Sequence, residues 1–140
     1  MKLALKYAPP KGFAKRAFHE LTAYRLVTNY PHSGIVIGDQ LLHTNLSNGV
    51  HSETFVPIGW DLFDVPGGDD ELTWGRFNSA FGMPYDIFSQ LAFVIPNSAS
   101  DSSRLYCYEL SWFLLTGTMP RRRVTAEDLL ALIALKNNKP

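Results

Sequence analysis

The chain has 140 residues, 46% of them apolar and 13% aromatic, which describes one globular domain over residues 1–140 and excludes a disordered or multidomain chain. Lys plus Arg and Asp plus Glu number 13 each, so no net charge draws the chain to nucleic acid or to an anionic surface. A single cysteine excludes an internal disulfide. Met1 to Pro10 lacks the apolar run of a secretory signal, and Leu129 to Leu135 is too short to span a bilayer, so the expectation is a cytoplasmic chain without stable membrane insertion.

In chain order, Phe13, Ala17, Leu21 and Tyr24 recur at helical spacing and predict a helix over Phe13 to Thr28, broken by Pro31. The β-branched run His32-Ser33-Gly34-Ile35-Val36-Ile37 predicts a strand, Gly38-Asp39 a two-residue turn, and Gln40 to Asn45 the returning strand. After a turn at Ser47-Asn48-Gly49, Val50 to Val56 predicts a third strand ended by Pro57. Ile58 to Gly82 reads as largely irregular, with an exposed loop at Pro66-Gly67-Gly68-Asp69-Asp70 and a short helix within Leu72 to Phe81. Tyr85 to Ile95 is apolar and fits helix or strand alike, and Asn97 to Ser103 is a polar loop. Leu105 to Thr116 predicts a helix with Ser102 or Ser103 as its N-cap and Gly117 just past its end. Arg121-Arg122-Arg123 reads as a solvated turn, and Thr125 caps a last helix, Ala126 to Lys136, with Asp128 in a capping-box position. Helix, hairpin, irregular segment and two helices make an α+β domain.

The hairpin carries the first chemical signal. With Gly38-Asp39 as its loop, Ile37 pairs with Gln40, Gly34 with His43 and His32 with Asn45. His32 and His43 then share one face as diagonal neighbours about 7–8 Å apart at the backbone. Gly34 between them leaves room for the imidazoles, and Ile35, Ile37 and Leu42 form the opposite, buried face. A slip of one residue would put His43 on the other face, and on spacing alone both histidines also read as ordinary half-exposed strand residues.

Cys107 supplies the second. It lies in the first turns of its helix, where the macrodipole favours a thiolate and lowers the thiol pKa; a lone cysteine among apolar residues also reads as a small buried hydrophobe. If the hairpin packs against this helix, Cys107 attacks an acyl carbon, His32 takes and returns the proton, His43 orients His32, and a backbone N–H at the helix start serves as an oxyanion donor.

At these residues the chain resembles the circularly permuted papain-like thiol hydrolases, relatives of the NlpC-type cell-wall peptidases and akin to the YiiX-like and lecithin–retinol acyltransferase-like families. The resemblance lies in His32-Ser33-Gly34-Ile35, His43 and Tyr106-Cys107-Tyr108-Glu109-Leu110, matching a "His-x-Gly-Ile" strand, a polar residue on the next strand and a later cysteine on a helix. Gly82-Met83-Pro84-Tyr85-Asp86 is similar to a "Gly-x-x-Tyr-Asp" segment. Val124-Thr125-Ala126-Glu127-Asp128-Leu129 is similar to a "Val-Thr-Pro-x-Asp-Leu" ending, with Ala126 in place of the proline. The family usually has Ser after the cysteine, where this chain has the bulkier Tyr108. The resemblance implies a permuted papain-like fold, a small antiparallel sheet packed against the cysteine helix. It also implies a catalytic set of Cys107, His32 and His43, and a peptide or acyl substrate cleaved at an amide or ester through a thioester, without a cofactor.

Other readings stay open: an acyltransferase on the same site, a non-catalytic binding module on the same fold, and a metal site drawing on His32, His43 and His51 with Glu53 or Asp39. Nothing in the sequence fixes the oligomeric state.

Overall fold

The β-branched run and its glycine turn fold as expected. The computed structural model describes residues 1–7, 29–86 and 105–137, and within them strand β2 (His32–Ile37) returns through Gly38 as strand β3 (Gln40–Asn45). Gly38 takes φ +60°, a conformation a side chain resists. The register is the expected one: Ile35↔Leu42, Val36↔Leu41 and Ile37↔Gln40. The ladder ends there, however, and the expected Gly34–His43 and His32–Asn45 pairs are not made. Strand β4 (Gly49–Thr54) is the third strand, one residue earlier at its start and two shorter at its end than the composition predicts. It pairs with β3 through His43↔His51.

Two strands lie where none is expected. Strand β1 (Lys2–Lys6) pairs with β2 on one side and with β5 (Trp60–Asp64) on the other. The result is a five-stranded antiparallel sheet in the order β4-β3-β2-β1-β5. Leu3, Ala4 and Leu5 of β1 are all wholly buried, as a strand covered on both faces must be. β5 is half exposed and reads Trp-Asp-Leu-Phe-Asp, so its identity as a strand comes from pairing with β1 rather than from its own composition.

Three helices complete the described residues. Helix α1 (Asp70–Ala80) starts at Asp69, whose carboxylate accepts from the Leu72 N–H at 2.9 Å. Helix α2 (Cys107–Thr116) begins with Tyr106, not Ser102 or Ser103, at its N-cap position. There the Glu109 carboxylate accepts from the Tyr106 N–H at 3.5 Å, the returning half of a capping box. Gly117, at φ +78°, closes α2 with its N–H on the Phe113 carbonyl at 2.8 Å. Helix α3 (Ala126–Asn137) carries the expected cap: Thr125 N–H donates to Asp128 at 2.9 Å and Asp128 N–H to the Thr125 hydroxyl at 3.3 Å. Arg122 of the arginine run grips Asp128 through both nitrogens, at 2.7 and 3.3 Å.

The helices cover one face of the sheet. Leu3, Leu5, Ile35, Leu42 and Val50 of that face pack with Phe77, Leu110, Leu114, Leu129 and Ile133 of the helices in one core, each large side chain contributing about 1.5–3 kcal/mol. The opposite face has a smaller cluster of Ala4, Val36 and Leu41 against Phe55 and Trp60. The described residues are therefore α+β, and none of their helices is long and apolar enough to cross a membrane. The expected helix Phe13 to Thr28, most of Tyr85 to Ile95 and the loop Asn97 to Ser103 lie outside the described residues.

Candidate functional site: a histidine row and a buried cysteine on opposite faces of the sheet

Strand alternation decides the site. His32 and Gly34 of β2 lie on the face away from the helices, and Ser33, between them, lies on the helix face. Past the end of the β2–β3 ladder the two imidazoles bridge the strands, His32 Nε2 to His43 Nδ1 at 2.9 Å, with ring centroids 5.2 Å apart. Gly34 makes this possible, because a Cβ there would stand 3.1 Å from His43 Cβ and 2.7 Å from Leu41 Cδ1. The His32 ring also lies 5.7 Å from the Trp60 ring.

The row continues. His51, which the sequence leaves outside the hairpin pairing, sits directly across from His43, ring centroids 4.3 Å apart. His51 Nδ1 donates to the Gly49 carbonyl at 2.9 Å, and its Nε2 accepts from the Asn45 amide at 3.2 Å. Since a carbonyl only accepts, His51 carries its proton on Nδ1 and a lone pair on Nε2.

His43 is the most enclosed of the three, 4% exposed. Burial, helped by neighbouring His32, His51 and Lys6, pushes its pKa down to about 2, so the ring is neutral. Glu53 Oε1 lies 3.3 Å from His43 Nε2. With a neutral ring this is no ion pair, and its alignment is too poor for a hydrogen bond, which leaves His43 Nε2 buried without a hydrogen-bond partner among the described residues. The carboxylate charge nonetheless favours a proton on the nitrogen it faces. That tautomer makes His43 Nδ1 the acceptor and His32 Nε2–H the donor, and leaves the lone pair of His32 on Nδ1.

Cys107 is the first residue of α2 and comes to β2 from the other face. The backbone N–H and hydroxyl of Ser33 and the N–H groups of Tyr108 and Cys107 lie near its sulfur and favour the thiolate. One turn on, Ser111 Oγ meets Ser33 Oγ at 2.9 Å in the interior. The helix-start donors are thus aimed at the sulfur as the sequence anticipates, but the expected fall in thiol pKa does not follow. Cys107 is wholly buried, and the cost of ionising it without water outweighs those donors and pushes the thiol up to about 11.

Of the residues singled out from the sequence, His32 and His43 are brought together directly. Cys107 meets the amide immediately after His32, with its side chain on the helix face and the imidazoles on the other. Glu53 joins His43 and His51, while Asp39 stays at the hairpin turn, accepting from Gln40 Nε2 at 3.2 Å. Tyr108, the residue that departs from the resemblance, is buried with its hydroxyl unpartnered among the described residues, its ring edge-on to Tyr106. The sequence reading misses the roles of Ser33 and Ser111. Their signal is faint: a serine out of phase with His32 on an otherwise apolar strand face, and a serine one helical turn past the cysteine.

Comparison of the chain with family models, with curated proteins and with solved structures returns no match in any of the three.

Proposed function

We propose that the protein is a cysteine hydrolase of permuted papain-like fold acting on an amide or ester, with Cys107 as nucleophile, His32 as base and His43 as the group that orients it. One observation carries the reading. The Cys107 sulfur, at the first residue of a helix, lies beside Ser33, the residue that follows His32, and His32 is itself held by His43 at 2.9 Å. The order of histidine strand before cysteine helix on an antiparallel sheet agrees with the permutation.

In the reaction the sulfur bonds to the acyl carbon as the thiol proton passes to His32 Nδ1, a step that requires the His32 ring, which lies with His43 and Trp60 on the face of the sheet away from the sulfur, to turn toward the cysteine's side. Because the resting group is a thiol, transfer accompanies attack rather than preceding it. The Tyr108 N–H at the helix start is the natural donor to the oxyanion. Collapse breaks the bond to the leaving amine or alcohol, which takes the proton from His32, and water then resolves the thioester with His32 again as base. An acceptor other than water would make the same site an acyltransferase.

A second reading has its own observation. The complete burial of Cys107 and its raised pKa favour a non-catalytic binding module on this fold. Hydrolysis of an activated ester and of a peptide amide by the wild type, Cys107→Ala and His32→Ala, each checked for folding, separates the two. Loss of turnover in both variants supports the hydrolase, and undiminished turnover in Cys107→Ala rejects it.

A further inference from the structure

The row of imidazoles ends in a cluster of which the thiol reaction uses only His43. His43, His51 and Glu53 project from neighbouring strands onto one face, and one ligand atom from each lies within 4.8 Å of the others. We infer that these three side chains form a binding site for a divalent first-row metal ion of the zinc class, and that filling it switches off His32 as a base.

Four features of the cluster point to a ligand. The His43 side chain is 5% exposed, yet its Nε2 has no hydrogen-bond partner among the described residues. A buried nitrogen of this kind calls for an explanation. His51 is already fixed in the tautomer a ligand needs, Nδ1–H on the Gly49 carbonyl and lone pair on Nε2, the usual backing of a metal-bound histidine. His43 Nε2 and Glu53 Oε1 are 3.3 Å apart, and two ligands at about 2.0–2.1 Å from a tetrahedral ion are themselves separated by about 3.3 Å. Glu53 is half exposed, so its carboxylate can adjust and the ion has a route in. Two imidazoles and one carboxylate are a borderline donor set, suited to zinc over calcium or magnesium, and leave a fourth position for water. Binding displaces the Asn45 amide from His51 Nε2, a bond of 3.2 Å.

The inhibition follows from proton positions and rests on the thiol reading. A metal on His43 Nε2 requires the ring proton on Nδ1. That proton then donates to His32 Nε2, which must accept, so His32 holds its own proton on Nδ1 and has no lone pair there for the thiol. The ion takes no part in the chemistry and fixes the wrong tautomer.

The test is titration of the full chain with Zn²⁺ alone against a competing chelator, alongside the rate of activated-ester hydrolysis. One equivalent should bind wild type and Cys107→Ala alike. His51→Ala and Glu53→Gln should each weaken binding by more than the roughly 10- to 100-fold that loss of an outer-shell partner costs. No stoichiometric binding by wild type, loss of binding in Cys107→Ala, or unchanged binding in Glu53→Gln overturns the site. If His51→Ala fails to fold, Glu53→Gln, at an exposed position, decides. Zn²⁺ should suppress wild-type turnover, reversibly with EDTA, and leave whatever rate Glu53→Gln has unaffected. Tight Zn²⁺ binding at unchanged wild-type turnover overturns the inhibitory role. A chain with no turnover at all fails the thiol reading, and the binding titration still decides the metal site.

Discussion

His32 Nε2 and His43 Nδ1 lie 2.9 Å apart at the point where the ladder joining their strands has already ended. The imidazole pair takes the place of the missing backbone pairs between β2 and β3, on the face away from the helices. Beneath it, on the other face, the same stretch of β2 receives the Cys107 sulfur through Ser33. Three consecutive positions of one strand thus hold an imidazole, an amide turned to the sulfur and a gap that admits the second histidine.

The gap is Gly34. Gly34→Ala adds a Cβ 2.7 Å from Leu41 Cδ1, 3.0 Å from the Leu42 carbonyl oxygen and 3.1 Å from His43 Cβ. Leu41 can yield, while the carbonyl and His43 cannot without moving β3. Stability should fall by about 1–3 kcal/mol in chemical denaturation, and the coupling between the His32 and His43 ring nitrogens should disappear from the NMR spectrum. Wild-type stability with an intact imidazole bond would mean that the gap is not needed.

Ser33 and Ser111 close the interface between β2 and α2 with a buried hydroxyl pair at 2.9 Å. Ser33→Ala leaves the Ser111 hydroxyl unsatisfied, and should cost about 1–3 kcal/mol, while Ser111→Ala leaves Ser33 with only the Cys107 sulfur beside it and should cost less. The double variant should cost clearly less than the two together, a favourable coupling measurable by a denaturation cycle. Additive losses would mean that the two hydroxyls do not depend on one another.

Local chemistry made the hairpin legible: β-branched residues, a glycine turn and alternation set the register and the shared face of His32 and His43. The caps of α3 were equally readable, since Thr125 and Asp128 interact within one turn. β5 was not, because Trp60 to Asp64 has two aspartates in five residues and becomes a strand only by pairing with Lys2–Lys6, more than fifty residues earlier. The helix-start position of Cys107 was visible, but its pKa depends on how completely the sheet and helices exclude water, which no local pattern states. The place of His51 is not legible for the same reason: its position opposite His43 is set by the register of β3 with β4, which the turn at Ser47-Asn48-Gly49 does not fix.

Glu109, in the first turn of α2, is buried, and burial pushes its carboxyl up to about 7, with Asp86 adding to the shift and Arg123 opposing it. The folded state therefore prefers the protonated form. The stabilisation this gives is complete below the ordinary value of 4.5 and is lost as pH rises to about 7. Relative to Glu109→Gln, wild type should lose on the order of 1–3 kcal/mol across that window and no more above it, as read from denaturation at several pH values. A flat difference would place the Glu109 carboxylate in contact with water.

Cys107 has the same sign at higher pH. Its thiol is pushed from 9.0 to about 11 by burial, so wild type should lose stability relative to Cys107→Ala as pH rises from 9 to about 11 and show no pH-dependent difference below it. Two units of pKa reduce the thiolate on the order of 100-fold. Iodoacetamide should accordingly modify the native protein at pH 8 far more slowly than the unfolded chain. Faster modification of the native protein would mean a preformed thiolate paired with His32.

The most direct measurement is the mass of the intact protein after brief exposure to an activated acyl ester. The proposed chemistry predicts one acyl group, carried on Cys107, that decays with the turnover rate; the adduct should be absent in Cys107→Ala and strongly reduced in His32→Ala, both folded. A folded wild type that hydrolyses the ester without acylation at Cys107, or that does neither, would contradict it.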